Sequence, residues 1–375
     1  MIDFTSIILF AGLFLGLVVG NAAYFGDPID LRITVPPRLA QMGFTEPIAE
    51  EIFVTSATEV SVATSMVPTP MLEISSHPTL AHAIATPLNL DPTVIAVQGL
   101  MGIDVTSIHG AIVDTGKTPG VGILLVINQP HEASTEINLS RDDGDVRTLL
   151  HQAARLSLER VAPYRTVLTD FENGLDGNDA AFTRSHDSAV NALAQPWMVH
   201  RPTERVMLCN LLALLDVLHG DAAGAERNFR TADTIPNALP GAYGTISINR
   251  AFLAVAAKQP AEARRWFVTR ARQTKDVQLP TWNGRMLVIE ALVAWSEGNT
   301  ARAESLLHAA SKAAPNNESP HVYLARLAAA RGDRAQELVE RAAAATVHGL
   351  EPRIPSLAQS EFWVDPVNGG ITRRK

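Results

Sequence analysis

The chain has 375 residues, is 46% hydrophobic and 19% charged, and carries a net charge of −8. That composition is too apolar for a disordered chain, too lightly charged for a long coiled coil, and too acidic for a nucleic-acid binder. A single cysteine, Cys209, excludes an intrachain disulfide and any multi-cysteine zinc or iron–sulfur site.

Residues 4–25 read FTSIILFAGLFLGLVVGNAAYF, 22 positions without a charge. As a helix this stretch is about 33 Å long, enough to cross a hydrocarbon core. A cleaved signal peptide is the alternative, but the basic leading segment is missing and the apolar run is too long. The sequence therefore predicts one N-terminal transmembrane helix over 4–25. Gly12, Gly16 and Gly20 recur on one face of it, which predicts close packing against a membrane protein partner within the lipid bilayer. Flanking charge hardly orients the span, since Arg32 and Arg38 follow among Asp27 and Asp30.

Charge divides the remainder. Residues 26–140 hold 12 acids against 3 bases (Arg32, Arg38 and Lys117), whereas 26 acids and 28 bases follow. Thr, Val, Ile and Pro dominate the first part, and Ala, Leu and Arg the second. The expected class is α+β: a transmembrane helix, a small mixed α/β domain over 28–168, and then helices.

In the first part LRITV (31–35) predicts a strand, closed by Pro36 and Pro37. A helix follows with Thr45 as its cap and Glu46 and Pro47 in its first turn. MLEIS (71–75) is a strand candidate, 91–101 a helix candidate, and TSIHGAIVDTGKTPGVGILLVINQ a hairpin around a Gly/Pro turn. TEINLS (135–140) is a further strand. Asp142, Asp143 and Asp145 then lead into a helix whose amino end suits acids. This order, strand, helix, hairpin, strand and acid-capped helix, resembles the amino-terminal α/β domain of TolB-like bacterial proteins.

The second part repeats itself. Gly220-Asp221 is followed by Ala225, Phe229, Ala232 and Pro236; Gly298-Asn299 by Ala303, Leu307, Ala310 and Pro315. Gly332-Asp333 opens a third copy, with Glu337 at the alanine position. Lys258-Gln259 opens another that keeps Ala263 and Phe267. The pattern resembles the tetratricopeptide repeat, in which small residues let two helices cross closely and an aromatic fills the gap. The resemblance implies a solenoid over 201–347 with a partner-binding concave surface. Ahead of it, 169–200 reads as a linker with a helix near 178–195. Residues 348–375 read as an irregular tail in which Phe362, Trp363 and Val364 either pack back or dock to a partner.

Motifs for chemistry are weak. GKT at 116–118 follows Gly110 one position too far away for a phosphate loop, so a hairpin turn is the better reading. His77 and His82 share no helix face. Ser185, His186 and Asp187 are mere sequence neighbours. Asp170, Glu172, Asp176 and Asp179 lack the ligand order of a calcium loop and read as a solvated linker. Trp266, Trp282 and Trp295 read as helix core. Neither a catalytic site, a metal nor a cofactor is expected.

These features predict a non-catalytic, membrane-anchored scaffold, an accessory or assembly subunit that binds a protein or peptide on its repeats, with no nucleic acid. The alternative is a small-ligand receptor or enzyme whose site is assembled from scattered residues of the α/β domain. Resemblance to single-span proteins of this layout implies a bacterial inner-membrane location with a periplasmic body.

Overall fold

The computed structural model describes residues 12–13, 16, 29–60, 74–75, 106–116, 119–129, 132–273, 280–348 and 362–373. It divides into two compact units, one closing at Thr166 and the other running from Val167 onward.

One expectation is overturned first. Among the described residues no helix is long and apolar enough to cross a membrane. The transmembrane helix predicted over 4–25 is therefore corrected, and the inner-membrane, single-pass, periplasmic placement that rested on it goes with it. Of its packing glycines, Gly12 and Gly16 are helical, and a Cβ at either would meet nothing within 4 Å among the described residues. Gly20 lies outside the described residues.

In the first unit the predicted strand at 31–35 is β1 (Ile29–Thr34), followed by a short α1 (Pro37–Gln41) and by α2 (Glu46–Val60). β2 (Ile74–Ser75), β3 (Thr106–Asp114), β4 (Val121–Asn128) and β5 (Thr135–Arg141) complete a sheet of order β2-β1-β3-β4-β5. β1 runs parallel to both neighbours, while β3, β4 and β5 are antiparallel. Alternation decides the faces. Ile29, Leu31 and Ile33 point with Ile108, Ile112, Ile123, Leu125 and Ile127 into one core. Phe53 of α2 and Leu149, Leu150 and Leu158 of α3 (Val146–Val161) cover it.

The acids before α3 act as expected. The Asp145 carboxylate accepts the Thr148 N–H at 3.1 Å, capping the helix. Arg141 donates to Asp143, and with the Asp145 N–H it holds that carboxyl down to about 2. The helix predicted near 91–101 lies outside the described residues.

The second unit, whose boundary falls inside the first of the following helices, is helical. α4 (Pro163–Leu175) and α5 (Asp179–Leu193) lead through a 3-10 turn (Pro196–His200) into α6 (Pro202–Leu218) and α7 (Ala222–Asp233). α8 (Pro240–Ala256), α9 (Pro260–Gln273), α10 (Pro280–Ser296), α11 (Thr300–Ala313), α12 (Ser319–Ala330) and α13 (Arg334–Val347) follow. They pack as consecutive pairs, and the first helices of neighbouring pairs, α6, α8 and α10, also touch. Two segments differ from their prediction. The linker at 169–200 begins inside α4, because Tyr164, Val167, Leu168 and Phe171 form a buried helical stripe. The irregular tail contains a hairpin of β6 (Phe362–Val364) and β7 (Ile371–Arg373).

Candidate protein-binding surface of the helical repeats

The repeat is visible as hydrogen bonds. Gly220 (φ 78°), Lys258 (φ 56°), Gly298 (φ 82°) and Gly332 (φ 73°) each take the left-handed conformation that ends a helix. Their N–H groups donate to Val217, Val255, Trp295 and Ala329, three residues back. Next, the N–H groups of Asp221, Gln259, Asn299 and Asp333 reach five residues back, to Asp216, Ala254, Ala294 and Ala328. In the glycine turns the same Asp or Asn side chain then caps the second helix, accepting from Gly224, Arg302 and Gln336. The Gly-Asp and Gly-Asn pairs thus close one helix and open the next.

Five positions after each turn residue stand Ala225, Ala263, Ala303 and Glu337. The three alanines are fully buried, as are Phe229 and Leu307 one turn further on. The side chain of Phe267 lies outside the described residues. Glu337 is buried where an alanine would sit and bonds the exposed Arg334 and Arg341, each at 2.7 Å. The Arg334 bond holds its carboxyl below the usual range.

Sequence reading missed a fifth turn. Gly177 (φ 106°) donates to Gly174, and Asn178 to Asn173, repeating the same two bonds between α4 and α5. Here Phe182 replaces the small residue. It fits because Gly174 has no side chain: a Cβ there would lie 2.4 Å from the Phe182 ring. Gly177-Asn178 repeats Gly298-Asn299 in sequence and was the available signal.

Successive pairs are joined by polar links. Asn249 Nδ2 donates to Asn210 Oδ1 at 2.7 Å between α8 and α6. Arg250 is buried, stacked 4.2 Å from the Trp266 ring centre, and pairs with Asp233 and Glu226 of α7. Arg264 pairs with Glu297, and Arg331 binds Glu304 through two bonds of 2.6 and 2.8 Å. The Glu304 bond raises the Arg331 pKa and lowers that of Glu304. Two-pronged guanidinium–carboxylate contacts fix orientation as well as distance.

Between α9, α10 and α11 lies a cavity of about 230 Å³. Val268, Ile289, Val293 and Ala294 line it, with Arg264, Glu290 and Arg302 at its edge. Arg302 and Glu290 bond each other at 2.7 Å.

Phe362 and Val364 are buried, and Trp363 lies against Tyr323 and Trp295 with the Arg326 guanidinium 3.4 Å above its ring. The triplet packs back on the repeats.

The other candidates do not converge. Ser185 is buried and donates to the Val167 carbonyl, while His186 and Asp187 stand exposed beside one another. Asp170, read as linker, is buried in α4 against Arg184. Gly116 sits in the β3–β4 turn, its N–H bonded to Asp114. Lys117, Thr118, His77 and His82 lie outside the described residues, as does the side chain of Trp282. Burial pushes the Cys209 thiol up to about 11, which keeps it protonated. No protein-family model matches this sequence, and no curated protein matches it.

Proposed function

We propose that this chain is a non-catalytic scaffold that holds a protein partner on its helical repeats, as an accessory or assembly subunit of a complex. The cavity between α9, α10 and α11 carries the reading. Its 230 Å³ falls below the roughly 300–1,000 Å³ of small-ligand pockets, and suits one anchoring side chain. An apolar floor with a charged rim is the anatomy of a protein interface. The resemblance to tetratricopeptide proteins belongs to this reading and is supported by the shared turn bonds and buried alanines. The TolB-like resemblance rests on the order of strands and helices alone.

The test uses tagged full-length chain and the protein that co-purifies with it. Val268 is 45% exposed at the cavity wall, so Val268→Asp places a charge in the apolar contact with little cost to the fold. The partner should be lost while the melting curve stays unchanged. Undiminished capture by Val268→Asp would overturn this use of the cavity.

A further inference from the structure

The C-terminal hairpin lies across the first helices of successive pairs. Trp363 meets Tyr323 and Arg326 of α12 and Trp295 of α10. The Val364 N–H donates to the Tyr323 hydroxyl at 3.4 Å, and the Gly370 N–H to the Ala256 carbonyl of α8 at 2.9 Å. Arg373 donates to the Gly174 and Leu175 carbonyls that end α4, at 2.7 and 2.6 Å, with its guanidinium over Phe182. One side of the helix array therefore holds a hairpin by its aromatic ring, its backbone and one guanidinium.

The segment is poorly suited to hold itself together. Its strands have 3 residues each, and a two-stranded hairpin of that size is marginal without support. Thirteen residues, 349–361, separate it from the last described residue of the array.

Resting on the scaffold reading, we infer that this first-helix face is a peptide-accepting site occupied in cis by the chain's own hairpin. The partner it fits is a protein β-hairpin whose first strand carries an aromatic residue between two apolar ones, and it must displace Phe362, Trp363 and Val364. Tyr323 and the Ala256 carbonyl supply one backbone bond to each arm of such a hairpin; Trp295 and Arg326 hold its ring. A tethered occupant acts at an effective concentration in the millimolar range, so a free segment of micromolar affinity is excluded until the hairpin is loosened.

The probe is a fluorescent synthetic peptide of residues 358–375, added to full-length protein and followed by anisotropy. Wild type should bind it negligibly. Trp363→Ala removes the ring of the cis segment, and Gly370→Pro removes its N–H and forbids φ 99°. Neither alters the face. Both variants should bind the peptide at least about tenfold more tightly than wild type, and adding Tyr323→Ala should abolish that binding. Folded variants that ignore the peptide would overturn the inference, as would wild type binding it equally well. Loss of cooperative melting in both variants would overturn it too, since the hairpin would then be a permanent part of the core. The Val268→Asp capture test reads a different surface and stands or falls separately.

Discussion

The ring centre of Trp363 lies 4.7 Å from that of Tyr323, 40 residues earlier in the chain, tilted by 34°. Offset aromatic contacts at this separation add to the area they bury, and here a guanidinium covers the outer face of the indole. Burial pushes the Tyr323 phenol well above its ordinary pKa, so its hydroxyl stays protonated at every physiological pH. Trp363 itself is only half-buried. Trp363→Ala should therefore cost about 3 kcal/mol, the low end for deleting a large aromatic, read as a lower urea midpoint.

Gly174 and Phe182 exchange the usual sizes at a helix crossing. Alanine is the better helix former by about 1 kcal/mol, so propensity alone predicts that Gly174→Ala stabilises. The 2.4 Å approach to the Phe182 ring predicts the reverse, a net loss of about 1–3 kcal/mol from overpacking. Phe182→Leu should recover part of that loss in the double variant. Urea denaturation of the two single variants and the double decides it.

Ala303 is fully buried at the α10–α11 crossing. Ala303→Leu should destabilise by about 1–3 kcal/mol, measured by thermal melting of the full chain. An unchanged midpoint would mean that the repeat register is wrong.

Cys209 supplies a pH prediction. Its folded pKa of about 11 lies above the ordinary 9.0, so the unfolded chain loses the thiol proton first. Its contribution to stability is intact below pH 9 and falls as pH rises from there toward 11. At pH 8 the folded protein should react negligibly with a disulfide reagent and stoichiometrically once unfolded. Rapid labelling of native protein would contradict the burial.

The repeat was legible because one residue pair does two jobs. Gly-Asp or Gly-Asn closes a helix through φ and caps the next through its side chain, so the signal survives wherever the turn does. Gly177-Asn178 escaped because Phe182 stands where a small residue is expected, and the compensating Gly174 lies on the partner helix. Lys258 (φ 56°) was found only through Ala263 and Phe267. Only the second half of α4 falls in the stretch read as linker, where Asp170 and Glu172 interrupt the apolar stripe of Tyr164, Val167, Leu168 and Phe171. The tail hairpin could not be read from its own residues: three-residue strands carry no periodicity, and their stability comes from Tyr323, Trp295 and Arg326 far away in sequence. The apolar run at 4–25 satisfied a length rule, but no membrane-spanning helix is found among the described residues.

The central claim is that the repeats hold a protein. A photo-crosslinking amino acid placed at Val268, at the cavity wall, in the full chain expressed in its own cells tests it most directly. The account predicts one discrete adduct, whose protein component, once purified, binds the wild-type chain in calorimetry and fails to bind Val268→Asp. The absence of any adduct, or equal binding by Val268→Asp, would contradict it.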